Sequence, residues 1–484
     1  MKAFTELARN SALSLVLNIS TRAANALMFI FIGRRMGVPA AGIFQLATTY
    51  LLIFSVLTRG LDELVVRQVA RFPQDARRYF VTFLTLRFGL NVVLYGLLAI
   101  VVCVFVRYPT GTLIPTLIVS AGLVSDSLIG GAGAVMLGQR RFVAPTLVAV
   151  GVCLLRLAGG AVLLSLKAPM YYIAALWWGS SVVGMAVLVS WVRLQVKTLP
   201  VPPGQRTLDW SLVRQELDAM LPFMVNGFLM AIEFQIDTIL LSVLQDESEV
   251  GWYGAATTIV STLAMMPQAY RLAVYPLMAS YAEERQKLVR LYTSSLRYLG
   301  ASVLPMVAGL VLLAPAIIPL IFESEFLPSV GVLRSLSIAL IFTFLNVPNV
   351  RMMFVHNRQG WVTWMMVGSM AVNVALNLWL APLLGAQGAA LARICSSALF
   401  FFSNHLILRF VVAKLDTSLT RLLWRSALAA ALMCGAVVAL YDLSIWVIIP
   451  IGIVVYCGVL LAIGGIPPYD QQLVRQALDR RRSA

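Results

Sequence analysis

Six arginines stand in or beside long apolar runs. Arg22, Arg87, Arg156 and Arg393 lie within them, and Arg59 and Arg271 lie nearer their ends. Three acids share that setting: Asp126, Glu233 and Asp237. An arginine at the centre of a membrane-spanning helix costs roughly 2.5–3.5 kcal/mol on insertion scales, so six facing lipid would cost on the order of 15–20 kcal/mol. That exceeds the net stability of most proteins, about 5–15 kcal/mol. Most of the six must therefore face a water-filled cavity or a buried partner. A cavity with more arginine than acid suits an anion, and the planar guanidinium fork matches phosphate oxygens. Glu233 and Asp237 are spaced i, i+4 and share one helix face. They are candidates to bind a coupling H⁺ or Na⁺.

For several of these residues a structural reading stands beside the binding one. Arg59 has Asp62 and Glu63 close by in sequence and would pair with them. Arg271 would snorkel to the headgroups. Arg87 and Arg156 would be structural partners of Asp126, and Arg393 would reach the outer surface. Other chemistry has little support. Cys103, Cys153, Cys395, Cys434 and Cys457 all lie in apolar segments, with no CxxC spacing. His356 and His405 are far apart near segment ends. No catalytic triad and no metal cluster stand out. No cofactor is expected beyond the coupling ion.

The elements that must position these charges are membrane helices. The chain has 484 residues, 60% of them hydrophobic and 12% charged, where a soluble domain carries about 25% charged residues. Its mean hydropathy is +0.87. A globule that poor in charge cannot cover itself with water-compatible surface. About fourteen stretches reach the ~20 apolar residues a spanning helix needs. The seventh runs Leu217–Leu244, the eighth Gly251–Met278, the eleventh Trp361–Pro382 and the twelfth Gly388–Val411. The fold class is all-α, a polytopic integral membrane protein.

The net charge of +16 comes with a lopsided distribution rather than a nucleic-acid-binding face. With a cytoplasmic N-terminus, the inner connections collect Arg67, Arg71, Arg77, Arg78, Arg140, Arg141, Arg285, Lys287, Arg351, Arg358 and many more. The outer connections receive Arg34, Arg35, Arg107 and Lys167, together with the acids Asp246, Glu247, Glu249, Glu323, Glu325 and Asp442. The split favours an even number of helices with both termini inside. The first apolar segment lacks a small-residue cleavage site and is expected to stay as a helix. The longest polar connections are Leu194–Glu216 and Ala279–Arg297.

A repeat organises the helices. AGIFQLATT from Ala41 matches VGWYGAATT from Val250, with Gly42 on Gly251, Phe44 on Tyr253 and Thr48-Thr49 on Thr257-Thr258. AAL at Ala174 recurs at Ala389, in the same order and at a similar offset. Copies six helices apart share orientation, which gives two parallel six-helix lobes about an axis along the membrane normal. The expected division is 1–200 (helices 1–6), 201–415 (helices 7–12), 416–466 (helices 13 and 14, outside the repeat) and 467–484 (a cytoplasmic tail). The same offset carries Arg59 to Gln268, one turn from Arg271, and Arg22 close to Glu233.

Four stretches carry a family resemblance. They are GRRMGVPAAGIFQLATTYLLIFSVLTRGLDELVVRQVAR from Gly33, PFMVNGFLMAIEFQIDTILLSVLQDESEVGWYGAA from Pro222, YPLMASYAEE from Tyr275 and NVALNLWLAPLLGAQGAALA from Asn373. With them the chain resembles the multidrug/oligosaccharidyl-lipid/polysaccharide (MOP) exporter superfamily, and within it the Wzx-type oligosaccharide flippases. The resemblance implies two six-helix lobes around a central cavity that opens alternately to either side. It implies movement of a polyprenyl-pyrophosphate oligosaccharide from the cytoplasmic to the outer leaflet of the bacterial inner membrane, for O-antigen, capsule or exopolysaccharide, with a polysaccharide polymerase as partner. The related MurJ-type lipid II flippases use cavity arginines on helices 1, 2 and 8. By helix position these are Arg22, Arg59 and Arg271 here, with Arg87 and Arg156 as further anion-site candidates and Asp126 as a charge partner. Asn18, Asn25 and tryptophans are expected against the sugar, and helices 13 and 14 against the lipid tail. The rivals are a MurJ-like lipid II flippase and a MATE-like cation-coupled drug antiporter. The antiporter would want acids deep in helix 1, where only Glu6 occurs, at its end. A membrane glycan polymerase would need a large outer catalytic loop, and no outer connection is long enough. The reading is therefore a transporter and not an enzyme.

Overall fold

In hydrocarbon every backbone N–H and C=O must be satisfied within the chain, so long apolar runs fold as helices. The computed structural model describes residues 20–197, 210–412, 418–441 and 443–465. Among them there is no strand, and eleven helices are long and apolar enough to cross a membrane. A first helix occupies the described residues 20–36 (α1). It is followed by α2 (Val38–Arg71), α3 (Ala76–Ile100), α4 (Thr110–Ser120), α5 (Gly122–Gly138), α6 (Val143–Ser165), α7 (Met170–Lys197) and α8 (Trp210–Leu244). Then come α9 (Glu247–Leu263), α10 (Met265–Ser280), α11 (Arg285–Phe322), α12 (Ser329–Val355), α13 (Gln359–Ile407), α14 (Leu419–Ala439) and α15 (Ile445–Ala462).

Two departures from the expected helices have local causes, and a further break falls between the expected eleventh and twelfth helices. The single eighth helix expected over Gly251–Met278 is two, α9 and α10, interrupted at Ala264. Pro267 has no N–H to give to the carbonyl of Leu263, and its ring crowds that carbonyl, so the helix breaks one turn upstream. The connection expected over Ala279–Arg297 is largely helix, because α11 begins at Arg285. At 1.5 Å per residue its 38 residues span about 57 Å, well beyond the ~30 Å hydrocarbon layer, so its polar first turns project past it. The run α13 is two helices broken at Gly385, whose φ of 56° and ψ of −136° are open to glycine alone. A Cβ on the nearby Gly388 would overlap the carbonyl of Leu380, so the chain reverses there only because both positions are glycine.

The chain divides into two compact units, Met1–Ala255 and Ala256–Ala484. In the first, α2 packs against α3, α4, α5 and α8, and α7 packs against α4, α5 and α6. Its core joins Leu61, Val65, Val69, Tyr79, Phe83, Val135, Met136, Leu188 and Val192. In the second, α12 packs between α11 and α13, α10 rests on α12, and α14 and α15 rest on α11. Tyr456 of α15 donates to the carbonyl of Ala301 on α11 at 2.6 Å, which ties the last helix to that unit.

Candidate functional site

Alanine at 24, methionine at 28 and isoleucine at 32 recur at i, i+4, i+8 and make the buried face of α1. Arg22 is two residues, or about 200°, from Ala24, so it stands on the opposite, exposed face. Asn25 is half-buried, and its Oδ1 has no hydrogen-bond partner. Asn18 lies outside the described residues. Arg59, on α2, is exposed as well.

Arg87 is different. It is 1% exposed, in the middle of α3. Its guanidinium pairs with Asp62 at 2.7 Å and donates to the carbonyls of Ser127 (2.9 Å) and Thr58 (3.0 Å). Asn91, one turn on, donates to Ser127 Oγ at 2.8 Å. Gly130 and Gly131 of α5 make the room, since a Cβ on Gly131 would lie 3.0 Å from the Arg87 Cδ. The result is a clamp joining α2, α3 and α5. Asp62, which the sequence offers to Arg59, is taken by Arg87, and Arg87 does not take Asp126.

Arg156 has its own enclosure. It is 6% exposed, with its guanidinium carbon 4.0 Å from the centre of the Trp177 ring. It donates to Ser180 and Ser181 of α7, and Asp126 of α5 lies 3.9 Å away. Arg87 and Arg156 thus hold helices together through groups of their own unit.

On α8, Glu233 is half-buried and Asp237 is 1% exposed. Tyr253 of α9 donates its hydroxyl to Asp237 Oδ2 at 2.7 Å. Nothing in the sequence marks that partner. The pair spans the turn between α8 and α9, and tyrosine at the start of an apolar run reads as an interface residue. We expect Tyr253→Phe to leave Asp237 short of one hydrogen bond and to lower the melting temperature in detergent, because a hydrogen bond to a charged group is worth about 1.5–3 kcal/mol. An unchanged melting curve would mean the bond carries no weight.

Around the start of α9 the packing is close. A Cβ on Gly42 would overlap the carbonyl oxygen of Glu247, and one on Gly251 would overlap that of Val38. Thr112 of α4 donates to Glu247 Oε1 at 2.6 Å. Tyr108 shares hydrogen bonds with Ser242 at 2.6 Å and Tyr50 at 3.2 Å. Burial pushes the Tyr108 phenol above its ordinary range, so it stays uncharged.

In the second unit Arg271 sits on α10, half-buried and outside every ion pair among the described residues. Tyr292 of α11 donates to Asn349 of α12 at 2.7 Å and meets His405 at 3.3 Å. Ser369 and Asn373, in the first half of α13, bond to Ser396 in its second half, and Arg393 is half-buried there. Pockets of about 590 Å³ beside Gly138, Arg140 and Arg141, and of about 250 Å³ beside Arg285 and His356, lie at helix ends. They hold none of the intramembrane candidates.

Long apolar helices that keep arginines among them make a multi-pass membrane protein, and the fold matches known transporters. The chain aligns with a lipid II flippase, MurJ, in an inward-closed conformation over 94% of this chain and 98% of that one, at 13% identity and a TM-score of 0.73. It aligns with an inward-facing multidrug resistance MATE family transporter of the MOP superfamily over 84% and 99%, at 14% identity and a TM-score of 0.66. A MOP superfamily transporter from Pyrococcus furiosus, described as having a binding pocket of reverse polarity, aligns over 86% and 97% at 14% identity with a TM-score of 0.58. No curated protein matches the chain. The fold is the one these transporters share. A family model described as polysaccharide biosynthesis protein matches residues 7–282, more than half the chain, and the chain belongs to that family.

Proposed function

We propose that the protein is a flippase that moves a polyprenyl-pyrophosphate-linked oligosaccharide from the cytoplasmic to the outer leaflet of a bacterial inner membrane by alternating access. The observation that carries this reading is how the charges are divided. Arg87 and Arg156 take up Asp62 and Asp126 inside the first unit. Arg59 and Arg271 remain outside every ion pair among the described residues, and Arg22 stands on the exposed face of α1. Guanidinium without a paired acid favours a phosphate headgroup and disfavours a cation. Membership of a polysaccharide biosynthesis family supplies the sugar.

In this reading Arg22, Arg59 and Arg271 hold the pyrophosphate, Arg87 and Arg156 shape the helices around it, and Glu233 and Asp237 respond to H⁺ or Na⁺. Asn25 faces the sugar, and α14 and α15 run along the lipid tail. A negative-inside potential favours outward movement of the anion by about 2.3 kcal/mol per charge per 100 mV. Fourteen crossings with both termini inside accommodate the helices: α13 provides two, α4 and α5 together one, α9 and α10 together one, and α1 the first. A polysaccharide polymerase would receive the product.

The test is flipping of a polyprenyl-pyrophosphate oligosaccharide in proteoliposomes, wild type against Arg22→Ala and Arg271→Ala. We expect loss of transport in both variants with unchanged melting curves. Full activity in both would remove these residues from the site. The fold match along almost the whole length of a lipid II flippase supports a second reading, in which the sugar is that of lipid II. Transport of lipid II and not of other polyprenyl-linked glycans would select it. Efflux of a cationic dye with no lipid flipping would instead favour an antiporter.

A further inference from the structure

Arg351 lies four residues from the end of α12, where charge counting along the sequence places it among ordinary inner-loop cations. The structure gives it a different setting. Its guanidinium carbon lies 5.4 Å from the centre of the Tyr275 ring and 4.9 Å from that of Phe354. Tyr275 belongs to α10, which packs on α12. Arg271 is one turn before Tyr275 on the same face of α10. The two arginines therefore flank one tyrosine from two helices, near enough for the charge of Arg271 to bear on that of Arg351.

Among the described residues no acid pairs with either arginine. The Nε of Arg351 is buried and makes no hydrogen bond. Where Arg87 and Arg156 are each given an acid, Arg351 is given two aromatic rings and a second arginine. Like charges in a half-buried setting repel, and an anion between them turns that repulsion into two attractions. An aromatic surface holds a guanidinium flat and pre-oriented, which leaves its N–H edge for a ligand.

We infer that Arg351 and Arg271, set on either side of Tyr275, form a two-arginine seat for the diphosphate of the transported lipid, with one guanidinium for each phosphate. The inference rests on the flippase reading and adds to it a residue and a specificity. A monophosphate fills one fork and leaves the second cation uncompensated, whereas a diphosphate engages both. The seat therefore selects polyprenyl diphosphates over polyprenyl monophosphates. Its place near the inner end of α12, in the orientation given by the charge asymmetry, makes it a loading point for headgroups arriving from the cytoplasmic leaflet.

The test uses the full-length protein in nanodiscs, titrated with a sugar-free polyprenyl diphosphate and with the matching monophosphate, binding being read by intrinsic tryptophan fluorescence. The wild type is expected to favour the diphosphate by about 10- to 100-fold, the range set by hydrogen bonds to a charged group. Arg351→Gln should collapse that ratio by weakening the diphosphate while leaving the monophosphate little changed. Arg351→Lys, which keeps the charge and loses the fork, should recover part of it. A merely structural arginine would not change the ratio. Three results would overturn the inference. If Arg351→Gln leaves the ratio intact while Arg271→Gln destroys it, Arg351 is no part of the site and the flippase reading stands. If Arg351→Gln weakens both lipids equally, the residue supports the fold. If the wild type binds neither lipid, the flippase reading falls with the inference.

Discussion

Arg87→Met should leave the first unit too unstable to purify as a monodisperse species, and Arg87→Met combined with Asp62→Leu should restore most of the loss. The single change removes the cation and leaves the Asp62 carboxylate, whose side chain is only 30% exposed, facing the space it occupied. Removing one member of a buried pair costs about 3–5 kcal/mol, because the remaining charge is uncompensated. Two backbone carbonyls, of Thr58 and Ser127, lose a second donor in the same step, and each lost hydrogen bond adds about 0.5–1.5 kcal/mol. Against a net stability of about 5–15 kcal/mol, that is enough to unfold many proteins. The double change removes both charges and replaces them with apolar volume, which is often close to neutral in such pairs. Size-exclusion profiles and melting curves in detergent would show it. If the single variant melted with the wild type, the clamp would not be holding α2, α3 and α5 together. If the double variant were no better than the single, the loss would come from the carbonyls rather than from the stranded charge.

The same residues show how far the sequence could be read. Apolar run length located the helices because the bilayer requires about 20 residues per crossing and permits few alternatives. The break at Gly385 falls between the eleventh and twelfth expected helices, and the one at Ala264 was within reach because Pro267, three residues on, restricts the chain. Pairing was not legible. Asp62 and Arg87 lie on different helices, and their meeting depends on how α2 is rotated against α3, which is set by packing across three helices. Arg59 is nearer to Asp62 in sequence, but it stands on the exposed face of α2 while Arg87 is enclosed. Arg351 was overlooked for the opposite reason. Its position at a helix end matches that of ordinary loop cations, and only the approach of Tyr275 from α10 distinguishes it.

The two repeat motifs meet at one contact in the fold. Gly42 and Gly251 occupy matching positions in AGIFQLATT and VGWYGAATT. They also pack reciprocally: Gly42 lies against the carbonyl of Glu247, and Gly251 against the carbonyl of Val38. Val38 precedes Gly42 by one helical turn, and Glu247 precedes Gly251 by one turn. The contact is thus its own near-mirror, two helix starts crossing through their smallest residues, as small residues do where membrane helices approach closely. On the proposed flippase reading, with this end of the helices on the outer side, opening of that end would part this contact together with Thr112–Glu247 and Tyr108–Ser242 beside it. Gly251→Val should therefore force the cycle toward the open side. Overpacking a close contact costs about 1–3 kcal/mol in the state that makes it, which is roughly a 5- to 150-fold shift in population. On a background without native cysteines, Ser242→Cys should react slowly with a membrane-impermeant maleimide applied from outside, and much faster once Gly251→Val is added. Gly42→Val should give the same acceleration, because the crossing is reciprocal. Unchanged labelling in both would mean that the mouth opens elsewhere. Acceleration by one glycine alone would mean that the two repeats have diverged in the very contact that relates them.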